Sequence, residues 1–149
     1  LTENTLTLEI EIEKINSEKY EIVENEVIES TDFKELTISG SLFSLTLFKN
    51  VTFRSCVFFA SKMENCEFLG CNFIDCEFQF TGLEHCNFAA VSFENCKWDL
   101  SPIKKSTFVS SFLDAKTAYA LSKDDNRLES CFNQEERDFL TSAYRKQAA

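Results

Sequence analysis

Seven cysteines, one histidine and several regularly spaced carboxylates are the residues of this 149-residue chain that could do chemistry. Cys66, Cys71 and Cys76 fall five apart, which supplies enough thiols for a zinc site. Zinc ligands, however, come at Cys-x-x-Cys or histidine spacings that this chain does not have, and Phe68 and Phe73 would fill the ion's space. Cys56, Cys76 and Cys96 recur at intervals of 20, as do Cys66 and Cys86. Stacked thiols at that interval emerge parallel, which is the wrong dihedral for a disulfide. His85 adjoins Cys86, a nucleophile beside a base, yet the pattern below turns Cys86 inward and His85 outward. Glu64 and Glu84 would stack as an acid–base pair, but on a convex surface without a cleft. No glycine-rich phosphate loop is present among three glycines. The expectation is a non-catalytic protein without metal or cofactor.

What positions these groups is a repeat. Seventeen consecutive pentapeptides run from Thr31 to Ala115, each with a large apolar residue at its third position, from Phe33 and Ile38 through Phe108 and Leu113. Two residues before each centre stands Thr, Ser, Val or Cys, with Leu36 the one large exception. Neither a helix nor an ordinary strand repeats every fifth residue, so the period marks a solenoid. The centre and the compact residue point inward, and residues 20 apart stack at about 4.8 Å. Phe33, Phe53, Phe73, Phe93 and Leu113 form a first ladder; Ile38, Phe58, Phe78 and Trp98 a second. Phe43, Met63, Leu83 and Ile103 form the third, and Phe48, Phe68, Phe88 and Phe108 the fourth. Six cysteines fall on compact positions, where a thiol acts as a small hydrophobe. Six unpaired thiols favour a reducing compartment, so a cytoplasmic location is expected.

The stretch Cys66-Glu67-Phe68-Leu69-Gly70-Cys71-Asn72-Phe73-Ile74-Asp75-Cys76-Glu77-Phe78 resembles the pentapeptide repeat family, whose unit is approximately Ala/Cys-x-Leu/Phe-x-x. The resemblance covers 85 of 149 residues without an insertion. It implies an all-β solenoid, a right-handed four-sided parallel β-helix, here of about four coils for 17 repeats. It also implies an alternative function, because some members mimic duplex DNA, bind DNA gyrase and confer quinolone resistance. Those members are generally longer acidic rods that dimerise through C-terminal elements.

Three segments are expected within one structural domain. Residues 1–30 form an acidic N-terminal arm or cap, in which Leu6, Leu8, Ile10 and Ile12 alternate with Thr7, Glu9, Glu11 and Glu13 like a half-buried strand. Residues 20–30 read as a degenerate first coil or a cap, since Glu21 and Glu26 occupy compact positions. Residues 31–115 form the β-helix. Residues 116–149 form a crossing segment, anchored by Leu128 and Phe132, and a helix over about Gln134–Lys146. Asn133 and Glu136 give that helix a capping box. Its face of Phe139, Leu140, Ala143 and Tyr144 is expected to cap the last coil. Cys131 reads as standing outside the repeat.

Charge and surface narrow the partners. The net −10 is concentrated in residues 1–35, with eleven acids and three bases, while residues 36–115 hold eight and six. That balance argues against direct nucleic-acid or anionic-membrane binding, and no apolar run approaches the ~20 residues of a membrane span or reads as a signal peptide. Several outward positions are apolar. Gly40, Ala60, Phe80 and Leu100 share one corner, and Val57 and Phe59 flank Phe58. A second stripe holds Leu47, Leu69, Ala89 and Val109. The candidate partner surface is therefore Val57, Phe59, Ala60, Phe80 and Leu100, which either meets another protein or is covered by residues 6–12. The function expected is a rigid interaction or scaffold module for an unnamed protein partner, as monomer or as dimer through the C-terminal helix. DNA gyrase is the alternative partner, against which Lys49, Arg54, Lys62, Lys97, Lys104 and Lys105 interrupt any acidic stripe.

Overall fold

Every fifth residue turns a corner. The computed structural model describes residues 22–148, and in it each pentapeptide places two or three residues in a strand. The residue two after the centre then takes a left-handed backbone, with φ near 50° at Ser30, Glu35, Asn50, Phe80 and Leu100 alike. Such a φ is strained for most residues. It is held at most corners because the corner N–H donates to a carbonyl of the next coil, as Ser30 N does to Lys49 O at 2.9 Å and Phe80 N to Asp99 O at 3.0 Å.

The result is a four-sided parallel solenoid of about five turns. Its first side stacks Asp32–Lys34, Thr52–Arg54, Asn72–Ile74, Ser92–Glu94 and Phe112–Leu113. The second stacks Thr37–Ser39, Val57–Phe59, Glu77–Gln79 and Lys97–Asp99; the third runs from Ile22–Glu24 to Ile103–Lys104. The fourth runs from Val27–Glu29 to Arg127–Glu129. Register is 20 residues throughout, so Phe53 pairs with Phe73 and Phe73 with Phe93. Strands Ile22–Glu24 and Val27–Glu29 carry the coils back to Ile22, nine residues before the expected start at Thr31, and bury Val23 and Ile28. Glu26 keeps partial exposure, so the carboxylate that argued against a coil there is not sealed in. The alternation over residues 6–12 lies outside the described residues.

Inside, the ladders are columns of rings. Phe48, Phe68, Phe88 and Phe108 stack at 4.6, 4.7 and 4.4 Å, all within 4° of parallel. Neighbouring sides meet edge-on, as Phe53 and Phe58 do at 67°, so rings in the middle of the columns, such as Phe73, have both stacked and tilted partners, two favourable geometries. The compact residues do more than fill space. Ser61 Oγ donates to Ile38 O at 3.2 Å, Thr81 Oγ1 to Phe58 O at 2.9 Å and Cys76 Sγ to Phe53 O at 3.2 Å. Reading cysteine there as a small hydrophobe thus omits its hydrogen bond to the coil beneath.

The upper end departs most from expectation. Helix α1 (Ala115–Ser122) replaces the second and third sides of the last coil, and it buries Thr117 and Leu121. Asp114 caps it, accepting from Thr117 N at 2.8 Å and from Cys96 N at 2.9 Å. Asn126 then closes α1 and restores the coil, donating to Leu121 O at 3.0 Å and Ile103 O at 2.7 Å. Leu128 stacks in register on Phe108, and Cys131 Sγ donates to Phe108 O at 3.2 Å as the other thiols do to their own lower coils. Cys131 therefore belongs to the repeat, 20 residues above Ser111, and not outside it. Helix α2 (Gln134–Ala148) has the expected capping box, with Glu136 N donating to Asn133 Oδ1 at 2.9 Å. Its apolar face does not lie on the coil: Phe139, Leu140 and Tyr144 are 72%, 58% and 73% exposed. The helix is fastened at its first turn, where Arg137 pairs with Glu94 at 2.6 Å and lies over the Phe112 ring.

Candidate functional site

The groups with catalytic potential are kept apart or neutralised. All six thiols of the coils are buried. Burial pushes the Cys71 thiol up and that of Cys96 up to about 12. Hydrogen bonds from Cys56 and Cys66, with burial second, hold Cys76 and Cys86 well above the ordinary thiol range. Those four raised thiols are poor nucleophiles and poor metal ligands. The same shared hydrogen bonds lower their partners Cys56, to about 7, and Cys66, but both are fully buried away from any substrate. Among the described residues no three His, Cys, Asp or Glu side chains converge to hold a metal. His85 is exposed, its Nε2 3.8 Å from Glu84 Oε1. Glu64 and Glu84 do stack, but Lys62 lies within 3.4 and 3.8 Å of them and makes the pair an ion cluster.

The outward apolar residues form a slanting ridge. Phe59 and Phe80 meet edge to face at 5.8 Å, and Leu100 stands one coil above Phe80. Their exposures are 39%, 56% and 76%. Ala60 is exposed beneath Phe80, at the same corner. Val57 shares the outward face of its strand but is stacked under Glu77, so it borders the ridge without extending it. The ridge residues Ala60, Phe80 and Leu100 are also left-handed corners, with φ of 49°, 50° and 47°. A bulky apolar residue is a poor choice there, where Asn65 and Gly70 show what suits the turn. Of the second expected stripe, Leu69, Ala89 and Val109 stack in one column above Lys49, while Leu47 stacks under Glu67 in the neighbouring column and is not part of it. Sequence reading missed helix α1 beside the top of the ridge, whose Tyr119 is 66% exposed. The signal available was Asp114 ahead of the alanine-rich run Ala115–Ala120, an N-cap before strong helix formers.

The family described as Pentapeptide repeats matches residues 52–89 in eight copies. No curated protein matches the sequence. Among solved structures, a pentapeptide repeat protein of the Arabidopsis thaliana thylakoid lumen is 14% identical, with a TM-score of 0.39 over 72% of this chain and 79% of the other. The pentapeptide repeat protein Rfr23 of the cyanobacterium Cyanothece 51142 is 7% identical, TM-score 0.37, over 85% and 95%. Trypsin-treated QnrB1, a plasmid-mediated fluoroquinolone resistance protein, is 11% identical, TM-score 0.28, over 84% and 93%. Eight units of the family are matched over residues 52–89, and the same left-handed corner recurs every fifth residue through the coils, so this stretch of the chain is built of pentapeptide repeats.

Proposed function

We propose that the chain is a non-catalytic, rigid protein–protein interaction or scaffold module whose partner surface is the ridge of Phe59, Ala60, Phe80 and Leu100, bordered by Val57. The observation that carries this is Phe80: a large apolar side chain, 56% exposed, at a backbone φ of 50°. Apart from its edge-to-face contact with Phe59, the fold gains nothing from it that asparagine would not give, and exposed apolar ridges are what interfaces use. The thiols favour a reducing compartment such as cytoplasm; no described helix is long and apolar enough to cross a membrane.

The test pairs stability with binding. Phe80→Asn should hold or raise the melting temperature, and Phe80→Ser with Leu100→Ser should keep the fold while losing the partners recovered by the parent. A marked fall in stability on Phe80→Asn would make the ridge part of the fold. Retention of every partner would remove it as the binding surface. Self-pairing is proposed through α2, whose acidic first turn, Glu135 and Glu136, and basic last turn, Arg145 and Lys146, match an antiparallel copy. Gyrase binding by DNA mimicry has less support, because Lys62 and Lys97 hold outward carboxylates of the coils in ion pairs. A supercoiling assay with purified gyrase checks it.

A further inference from the structure

A groove opens where the last coil gives way to α1. A helix is roughly 10 Å across and cannot repeat the ~4.8 Å step of the strands, so α1 stands off from Lys97–Asp99. The space between is about 420 Å³, walled by Lys97, Asp99, Lys116, Tyr119 and Lys123 over Trp98. A second hollow of about 330 Å³ shares Trp98, Ala120 and Lys123 and runs to Leu100 and Pro102, the top of the ridge. The floor is rigid: the Trp98 indole stacks on Phe78 at 3.9 Å and donates Nε1–H to Thr117 Oγ1 at 2.8 Å. Lys97 is 3.8 Å from Glu77, and the Lys123 ammonium sits 4.6 Å above the Tyr119 ring. Three lysines face two acids, Asp99 and Asp124, in the paired hollows. With Lys97 answered by Glu77 the count is even, in a chain of 15 bases to 25 acids, and Lys116 and Lys123 are left with no carboxylate partner among the described residues.

We infer that this groove docks an acidic peptide segment with an apolar anchor, contributed by a partner protein. The anchor lies on Trp98 between Ala120 and Leu100, and the segment's carboxylates reach Lys116 and Lys123. An uncharged segment would leave the lysines unanswered, and a bare phosphate would leave the apolar floor unused. The inference rests on the interaction-module reading and names the chemistry of the partner.

Trp98 is the chain's one tryptophan, so its fluorescence reports on the groove directly. The intact protein is titrated with the acetylated peptide Glu-Glu-Leu-Phe-Glu-Glu, with Lys-Lys-Leu-Phe-Lys-Lys, and with inorganic phosphate. The acidic peptide alone should give a saturable change that weakens as salt is raised. Lys116→Gln and Lys123→Gln should each weaken it up to roughly fivefold at low salt, as exposed ion pairs do, with the melting temperature unchanged. No saturable change, equal binding of the basic peptide, an equal response to phosphate, or undiminished binding by the double variant would overturn the inference. The two proposals fail separately. Because Leu100 borders both sites, the separating variant is Phe80→Ser alone: partner loss in it while the parent binds no peptide overturns only the groove, and peptide binding by the parent with every partner retained by the variant overturns only the ridge.

Discussion

Replacing Phe73 by alanine should cost more than replacing any ring at the end of its column. Phe73 is fully buried, stacked between Phe53 at 5.0 Å and Phe93 at 4.9 Å. Phe58, Phe68 and Phe78 meet it at a tilt, at 6.3, 5.7 and 5.8 Å. A buried Phe→Ala change costs about 3–5 kcal/mol, and stacked aromatic partners contribute about 0.5–1.5 kcal/mol each. Ring columns locked from both sides cannot collapse into the cavity, which places Phe73→Ala near 5 kcal/mol on that scale. Phe33 is 6% exposed and stacks on Phe53 alone, at 5.3 Å and 27°. Phe33→Ala therefore belongs near 3 kcal/mol. Asn72, one residue away, faces outward and loses only its Nδ2 bond to Thr52 Oγ1 at 3.3 Å. That is worth about 1 kcal/mol or less. Urea denaturation followed by circular dichroism and Trp98 fluorescence gives the three values, compared at unchanged m-value because repeat arrays can unfold in parts. The inward and outward assignment is refuted if Asn72→Ala costs as much as Phe73→Ala; equal costs at Phe33 and Phe73 would refute the column argument.

The buried Cys96 thiol makes stability fall in alkali, as do the raised thiols Cys71, Cys76 and Cys86, whereas the lowered Cys56 and Cys66 act in the opposite direction. Cys96 stays protonated to about 12 against an ordinary 9.0, so above pH 9 the unfolded chain sheds protons that the folded one keeps. Stability is then full below pH 9 and falls by up to about 1.4 kcal/mol per pH unit per thiol above it. Denaturation midpoints at pH 8 and 10.5 check this, and a flat profile would contradict it. Unreduced, denatured protein should show all seven thiols to an alkylating agent, and in the native state Cys131 should react first because it alone is not buried. Protection of two or more would mean a disulfide. Deleting residues 134–149 should change the melting temperature little, since α2 is held mainly through Arg137. Asp114→Ala should lower stability by about 1–2 kcal/mol as the α1 cap is lost. The reverse order would make α2 the true cover of the coil.

The period of five determined most of this fold without any structure. A centre such as Phe73 and a compact residue such as Cys71 can both face inward only if the chain turns at every fifth residue, and the 20-residue register follows from four sides. Local chemistry sufficed for the Asn133–Glu136 capping box as well. The ridge was legible too, because outward positions are fixed once inward ones are known, and Phe80 and Leu100 are conspicuous there. Sequence pattern failed where partners distant in the chain decide the outcome. Ala115–Ser122 becomes a helix because Asp114 can bond Cys96 N, and because Thr117 and Leu121 find the open tops of the second and third sides. Cys131 rejoins the repeat because ten helical and turn residues replace two pentapeptides without losing register. The amphipathic face of α2 looked like a cap, yet an amphipathic pattern records only that a face is apolar, not which surface covers it. The lysine groove beside Trp98 was invisible for the same reason: Lys97, Lys116 and Lys123 become neighbours only when a helix is laid across the end of a stack of strands.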